Sequence, residues 1–122
     1  MKMKTIKVGI MPLSQYKKRT IAIAKGEYKV RADEPKVWFE SIKSMAQILS
    51  SENQELLKVI LINHPKSLKE LEALTGRAKS NLSRTLKTLE HYGIVELHKE
   101  NNALVPEVKA THFQVEFGLE AA

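Results

Sequence analysis

The 122-residue sequence contains no cysteine, which excludes disulfides and any thiolate metal site. Aspartate occurs once, at Asp33, so the clustered carboxylates of a two-metal nuclease are hard to assemble. His64, His91, His98 and His112 are scattered, with no i,i+4 pair to begin a zinc site. Glycine is scarce, and neither a glycine-rich phosphate loop nor a nucleophile elbow occurs. No catalytic residue, metal or cofactor is expected, and the chain reads as a non-enzyme. Long apolar runs are missing too: the longest, Val59–Ile62, is far too short to span a membrane. The basic N-terminus is not followed by an apolar run of signal-peptide length, so the expected compartment is the cytoplasm.

What is plentiful is positive charge, and it is unevenly placed. The formal net charge is +6, yet residues 1–31 alone carry nine Lys or Arg against one acid, Glu27. Residues 64–92 hold six basic residues against three acids, while the two remaining stretches are acidic overall. A basic N-terminal block is an electrostatic footprint for phosphate or for an acidic protein surface.

The second basic stretch has an internal order. Ser67 and Glu70 have the spacing of a capping box, which predicts a helix beginning at Ser67 with Leu68, Leu71 and Leu74 on its buried face. Gly76 supplies a residue able to turn the chain at once. A second helix is expected from about Ala78 to Tyr92-Gly93. Ala78, Leu82, Thr85, Leu86 and Leu89 fall on one side of it at about 100° per residue. Ser80, Arg84 and Lys87 fall on the other, flanked by Lys79, Asn81 and Ser83. Arg and Lys donate to guanine, Asn can bridge adenine, and Ser fits either. A charged helix face is ordinarily just a solvated one, but a merely soluble face mixes signs as i,i+4 pairs. This one has no acid until Glu90. Two helices with such a second member have the design of a helix-turn-helix, whose second helix enters the DNA major groove. Ser67 and Arg77 complete the candidate contacts around it.

Beyond Gly93, Val95 and Leu97 alternate with Glu96 and His98, Glu100-Asn101-Asn102 reads as a turn, and Leu104-Val105 resumes the apolar pattern. A hairpin directly after a recognition helix is a wing, with Lys99, Asn101 and Asn102 at its tip; the same pattern also suits a hairpin that only covers the core. Phe113, Val115 and Phe117 suggest a further strand. Pro106 is expected at an edge or a strand break.

The segment from about Ser51 to Lys99 resembles the winged helix-turn-helix regulators of the broad MarR/ArsR type. The residues that carry the resemblance are Leu71, Leu74-Thr75-Gly76, Ser80-Asn81-Leu82-Ser83-Arg84, Leu86-Lys87-Thr88-Leu89-Glu90 and Gly93-Ile94-Val95. It implies a homodimer on a pseudo-palindromic operator, with Ser80, Ser83, Arg84 and Lys87 near bases or phosphates. The whole chain, including Lys4–Leu13 and Pro35–Ser41, also resembles a narrower group, short prokaryotic DNA-binding proteins similar to TumA-type antitoxins. That resemblance implies a toxin partner and repression of the pair's own promoter. The cysteine metal site of ArsR-type sensors has no counterpart here.

Upstream, Ile6, Val8 and Ile10 alternate as in a strand with one apolar face, and Pro12-Leu-Ser opens a helical stretch to about Lys25. Leu13, Tyr16, Ile23 and Ala24 fall near one side of it, Lys17, Lys18 and Arg19 on the remainder, and Gly26 ends it. Three roles are open for this arm: pairing across a dimer, gripping DNA backbone through Lys17, Lys18, Arg19 and Lys25, or holding a partner protein. Residues 27–36 show little periodicity and read as a linker. Trp38 and Phe39 read as core or interface anchors ahead of a helix from about Ser41 to Leu49. Ser51 and Gln54 suggest a capping box for another helix, to about Asn63, with Leu56, Leu57, Ile60 and Leu61 buried and Pro65 beyond its end.

The expected fold is α+β, mainly α: a basic strand–helix arm and linker over 1–36, then a winged helix-turn-helix domain with C-terminal strands over 37–122. The expected function is a dimeric repressor that reads double-stranded DNA. The alternative is an antitoxin-type interaction protein that neutralises a partner toxin, with DNA binding secondary.

Overall fold

The computed structural model describes residues 3–119, which form an α+β fold. In chain order the elements are β1 (Thr5–Ile10), α1 (Leu13–Ala24), β2 (Val37–Phe39), α2 (Ile42–Ile48), α3 (Ser51–Asn63), α4 (Leu68–Thr75), α5 (Lys79–His91), β3 (Val95–Glu100), β4 (Ala103–Val108) and β5 (His112–Glu116). Among the described residues no helix is long and apolar enough to cross a membrane.

The alternation of Ile6, Val8 and Ile10 does make a strand, and both of its edges are occupied from within the chain. β1 is the middle of a three-stranded sheet in the order β2-β1-β5, parallel to each neighbour. Parallel strands cannot be joined by a tight turn, so β1 reaches β2 through α1 and residues 25–36. The boundary drawn at residue 36 therefore runs through this sheet, with β1 on one side and β2 and β5 on the other; residues 1–2 and 120–122 of the two segments lie outside the described residues.

Val37-Trp38-Phe39, expected only as an apolar cluster, is itself the strand β2. Alternation sends Val37 and Phe39 into the core and turns Trp38 to the other face, over its register partner Gly9. A Cβ on Gly9 would lie 2.7 Å from Trp38 Cε3 and 3.0 Å from Pro35 Cγ. Gly9→Ala therefore forces the indole to move, and we expect a loss of about 1–3 kcal/mol. Thermal melting together with the emission of Trp38, the sole tryptophan, checks this; an unchanged melt and spectrum would contradict the packing.

Residues 27–36 are ordered around Glu34. The Tyr28 hydroxyl donates to Glu34 Oε1, the Arg31 amide donates to Oε2 at 2.7 Å, and the Arg19 guanidinium lies 3.7 Å from the carboxylate. These contacts, Tyr28 first, hold the Glu34 carboxyl below the usual carboxylate range, and donation to Glu34 raises the Tyr28 phenol. The segment forms no helix or strand, as expected of a linker, and is held in place because the acceptor at Glu34 collects donors from three positions.

One apolar cluster joins the sheet to the helices: Val8, Val37 and Phe39 pack with Leu56, Leu57 and Ile60 of α3, Leu68 and Leu71 of α4, and Leu82, Leu86 and Leu89 of α5. The Phe39 ring stacks on Tyr92 at 4.5 Å, tying β2 to the end of α5. Three local expectations need correction. The cap of α3 is Ser50, not Ser51: its hydroxyl accepts from the Asn53 amide at 3.2 Å. Leu74 is 47% exposed, because it lies about 120° around α4 from Leu68. Ala78 is exposed as well, since it precedes α5.

Candidate functional site

Ser67 opens the site by capping α4: its hydroxyl accepts from the Glu70 amide at 3.0 Å, while the Glu70 carboxylate accepts from the Lys66 amide. Gly76, at φ 73°, ends α4 in the left-handed conformation, and the chain enters α5 three residues later. Ala78 has no side chain able to cap α5. Glu72 does so from the preceding helix, accepting from the Lys79 amide at 3.0 Å. Glu72 thus ties the start of α5 to α4, a link that sequence spacing did not reveal.

α5 presents two unlike faces. Leu82, Leu86 and Leu89 are completely buried. Opposite them Ser80, Arg84 and Lys87 are exposed, with Lys79 and Asn81 exposed on the flanks and Ser83 half-buried. No ion pair among the described residues engages Lys79, Arg84 or Lys87. A surface of unpaired ammonium and guanidinium groups beside hydroxyls can donate to phosphate oxygens and to base acceptors.

Arg77 behaves differently from its neighbours. Its Nε donates to Asn81 Oδ1 at 2.9 Å and its Nη2 to Thr85 Oγ1 at 3.2 Å, while Nη1 is buried without a partner. The guanidinium is laid along the side of α5, joining the turn to the helix. Ser67 caps α4, so of the residues singled out around α5 it is Arg77 that is bonded along it.

The hairpin β3–β4 follows directly. Asn101 and Asn102 both have positive φ, 50° and 63°, which is the geometry of a two-residue type I′ turn. Lys99, Asn101 and Asn102 are exposed at its tip. Pro106 lies inside β4, opposite Leu97. The Leu97 amide points away from β4, donating to Glu90 Oε2 at 3.1 Å, so this pair carries no ladder bonds and the missing proline N–H costs none.

The register also assembles a cluster that alternation alone hides. Glu96 faces Glu107 across the hairpin, and His98 lies two residues along on the same side. His98 Nε2 is 2.7 Å from Glu107 Oε2, and Lys109 Nζ is 3.2 Å from Glu96 and 3.8 Å from Glu107. The donor atoms of Glu96, His98 and Glu107 come close enough to share a cation, and the Lys109 ammonium holds that place. The hydrogen bond to Glu107, then the charges of Glu96, Glu107 and Glu100, raise the His98 imidazole above its ordinary value; the same bond and the Lys109 charge lower Glu107, while Glu96 and then Glu107 raise the Lys109 ammonium. The stabilisation from His98 is complete below its unfolded pKa and is lost as pH rises through the raised folded value. That from Glu107 is present above its unfolded pKa and is lost as pH falls through the lowered one. We expect the His98 ring to titrate by NMR above the free-imidazole midpoint and Glu107→Gln to bring it down; an unmoved midpoint would contradict the pair.

On the arm, the structure separates the four cations. Arg19 sits 5.0 Å above the Trp38 ring and 5.7 Å from the Tyr28 ring, against Glu34, and is half-buried. Lys17, Lys18 and Lys25 are exposed. No residue of α1 is fully buried, and Leu13 and Ile21 are 52% and 54% exposed.

Residues 48–115, just over half of the chain, match the model of the protein family HVO_A0114. The match runs from the last residue of α2 through α3 into β5 and leaves β1, α1, β2 and the rest of α2 outside it. No curated protein matches the chain, and neither does any solved structure.

Proposed function

The chain belongs to the HVO_A0114 family, and we propose that it is a sequence-specific regulator that binds double-stranded DNA in the cytoplasm. In this reading α4 and α5 are a helix-turn-helix, β3–β4 is the wing, and a homodimer represses transcription, its own included. The observation that carries it is the outward face of α5, where Ser80, Arg84 and Lys87 stand exposed and unpaired opposite three buried leucines. A helix with side chains is about 10–12 Å across and the major groove about 12 Å wide, so such a face can be seated on base edges. Glu72 and Gly76 fix the helix against its neighbour, which is what a reading element requires. A titration of isotope-labelled protein with the duplex upstream of its own coding sequence tests the reading. The amides of residues 79–87 are expected to shift most; shifts confined to other elements would remove α5 from the interface.

The antitoxin-type reading has one observation in its favour: α1 buries no side chain fully and exposes Leu13 and Ile21 beside Lys17 and Lys18, a surface suited to a protein partner. The charge of α1 separates the two roles. If Lys17, Lys18 and Lys25 touch phosphate, converting all three to Gln flattens the dependence of log affinity on log salt by about 0.9 for each phosphate no longer neutralised. An unchanged slope in DNA-binding titrations assigns α1 to dimerisation or to a protein partner instead.

A further inference from the structure

Asn81 is the third residue of α5, exposed at the end of the helix that would enter the groove first. Asparagine is ordinarily a reader of adenine, because its amide oxygen accepts from N6 while its amide nitrogen donates to N7. Here one of the oxygen's two lone pairs is taken. Arg77 Nε lies 2.9 Å from Asn81 Oδ1, and a guanidinium has donors only, so the atom facing it has to be the carbonyl oxygen. The oxygen is thereby turned toward the flank of α5, where Arg77 also holds Thr85 and leaves Nη1 buried without a partner. Rotating the amide to offer its oxygen to a base would break a charge-assisted bond and strand a second nitrogen of the same guanidinium.

We propose that the Arg77 bond aims the Asn81 oxygen along the flank of α5, so that the Nδ2 hydrogens address an acceptor edge, guanine N7/O6, and not the donor–acceptor pair of adenine. This rests on the DNA-binding reading given above. The rest of the face has the same polarity. Lys79, Arg84 and Lys87 are donors without acceptor capacity, and the two hydroxyls, Ser80 and Ser83, are the acceptors within reach. Arg77 is then a positioning residue that sets base preference without touching a base.

Selection of preferred duplexes from a randomised library, using the full chain, tests the proposal. Three proteins are compared: the unaltered chain, Asn81→Ala and Arg77→Met. The unaltered chain is expected to enrich a G·C pair at the position whose preference disappears in Asn81→Ala, and an A·T pair placed there weakens binding about tenfold or more. Arg77→Met frees the amide and shifts that position toward A·T. Enrichment of an A·T pair there by the unaltered chain overturns the proposal, as does an Asn81→Ala profile identical at every position. Because Asn81 is exposed, those two outcomes do not depend on the Arg77 variant folding. Absence of any enriched sequence would instead overturn the sequence-specific reading itself, and this proposal with it.

Discussion

Leu82→Asp is expected to abolish folding. Leu82 is completely buried between α5 and the cluster that includes Leu56, Leu71 and Ile94. Removing a buried leucine side chain costs about 2–5 kcal/mol, and the incoming carboxylate has no cation among the apolar residues around it. An unpaired buried charge adds several kcal/mol more. A domain of this size has only about 5–15 kcal/mol in hand. Far-UV circular dichroism should show the helical signal lost. The opposite face provides the control: Lys87→Asp reverses a charge at an exposed site and should change stability by no more than about 0.5 kcal/mol. A folded Leu82→Asp variant would mean that the two faces of α5 are assigned the wrong way round.

The second large effect concerns binding. Arg84 is exposed on α5, carries no ion pair among the described residues, and stands between Ser80 and Lys87. Under the proposed function Arg84→Ala should weaken binding to the preferred duplex by about 1–3 kcal/mol, roughly five- to 150-fold. Binding to unrelated sequence should fall much less, because only one charge is removed. Stability should hardly change, which a thermal melt verifies. Unchanged affinity for the preferred duplex would take Arg84 out of the interface.

The stretch from α4 to β4 was legible because its determinants are local. Ser67 caps within one turn, Gly76 ends a helix by its own conformational freedom, Leu82, Leu86 and Leu89 repeat with the helical period, and Asn101-Asn102 closes a hairpin of two residues. The sheet was not legible for the opposite reason. β1 pairs with β5 more than a hundred residues away, and three-residue β2 is too short to show any period. Arg19 looked like one more surface cation in Lys17-Lys18-Arg19, because the rings of Tyr28 and Trp38 that receive it come from later in the chain. Of the candidate site, the exposed row Ser80, Arg84 and Lys87 followed from periodicity alone. The Glu72 cap and the Arg77–Asn81–Thr85 network did not, although Arg77, Asn81 and Thr85 are spaced by four and could have been read as one line of side chains. The position of β1 also changes how the arm can be studied. Deleting residues 1–31 would remove the middle strand of the sheet, so charge substitutions on α1 are the cleaner probe.

Fluorescence anisotropy of the protein on the duplex upstream of its own coding sequence, against a shuffled duplex and at two salt concentrations, tests the central claim most directly. The proposed regulator should prefer the upstream duplex by a hundredfold or more, about 3 kcal/mol, with the preference surviving the higher salt. Equal, weak and steeply salt-dependent binding to both duplexes would contradict it, and the positive charge of α5 would then be generic.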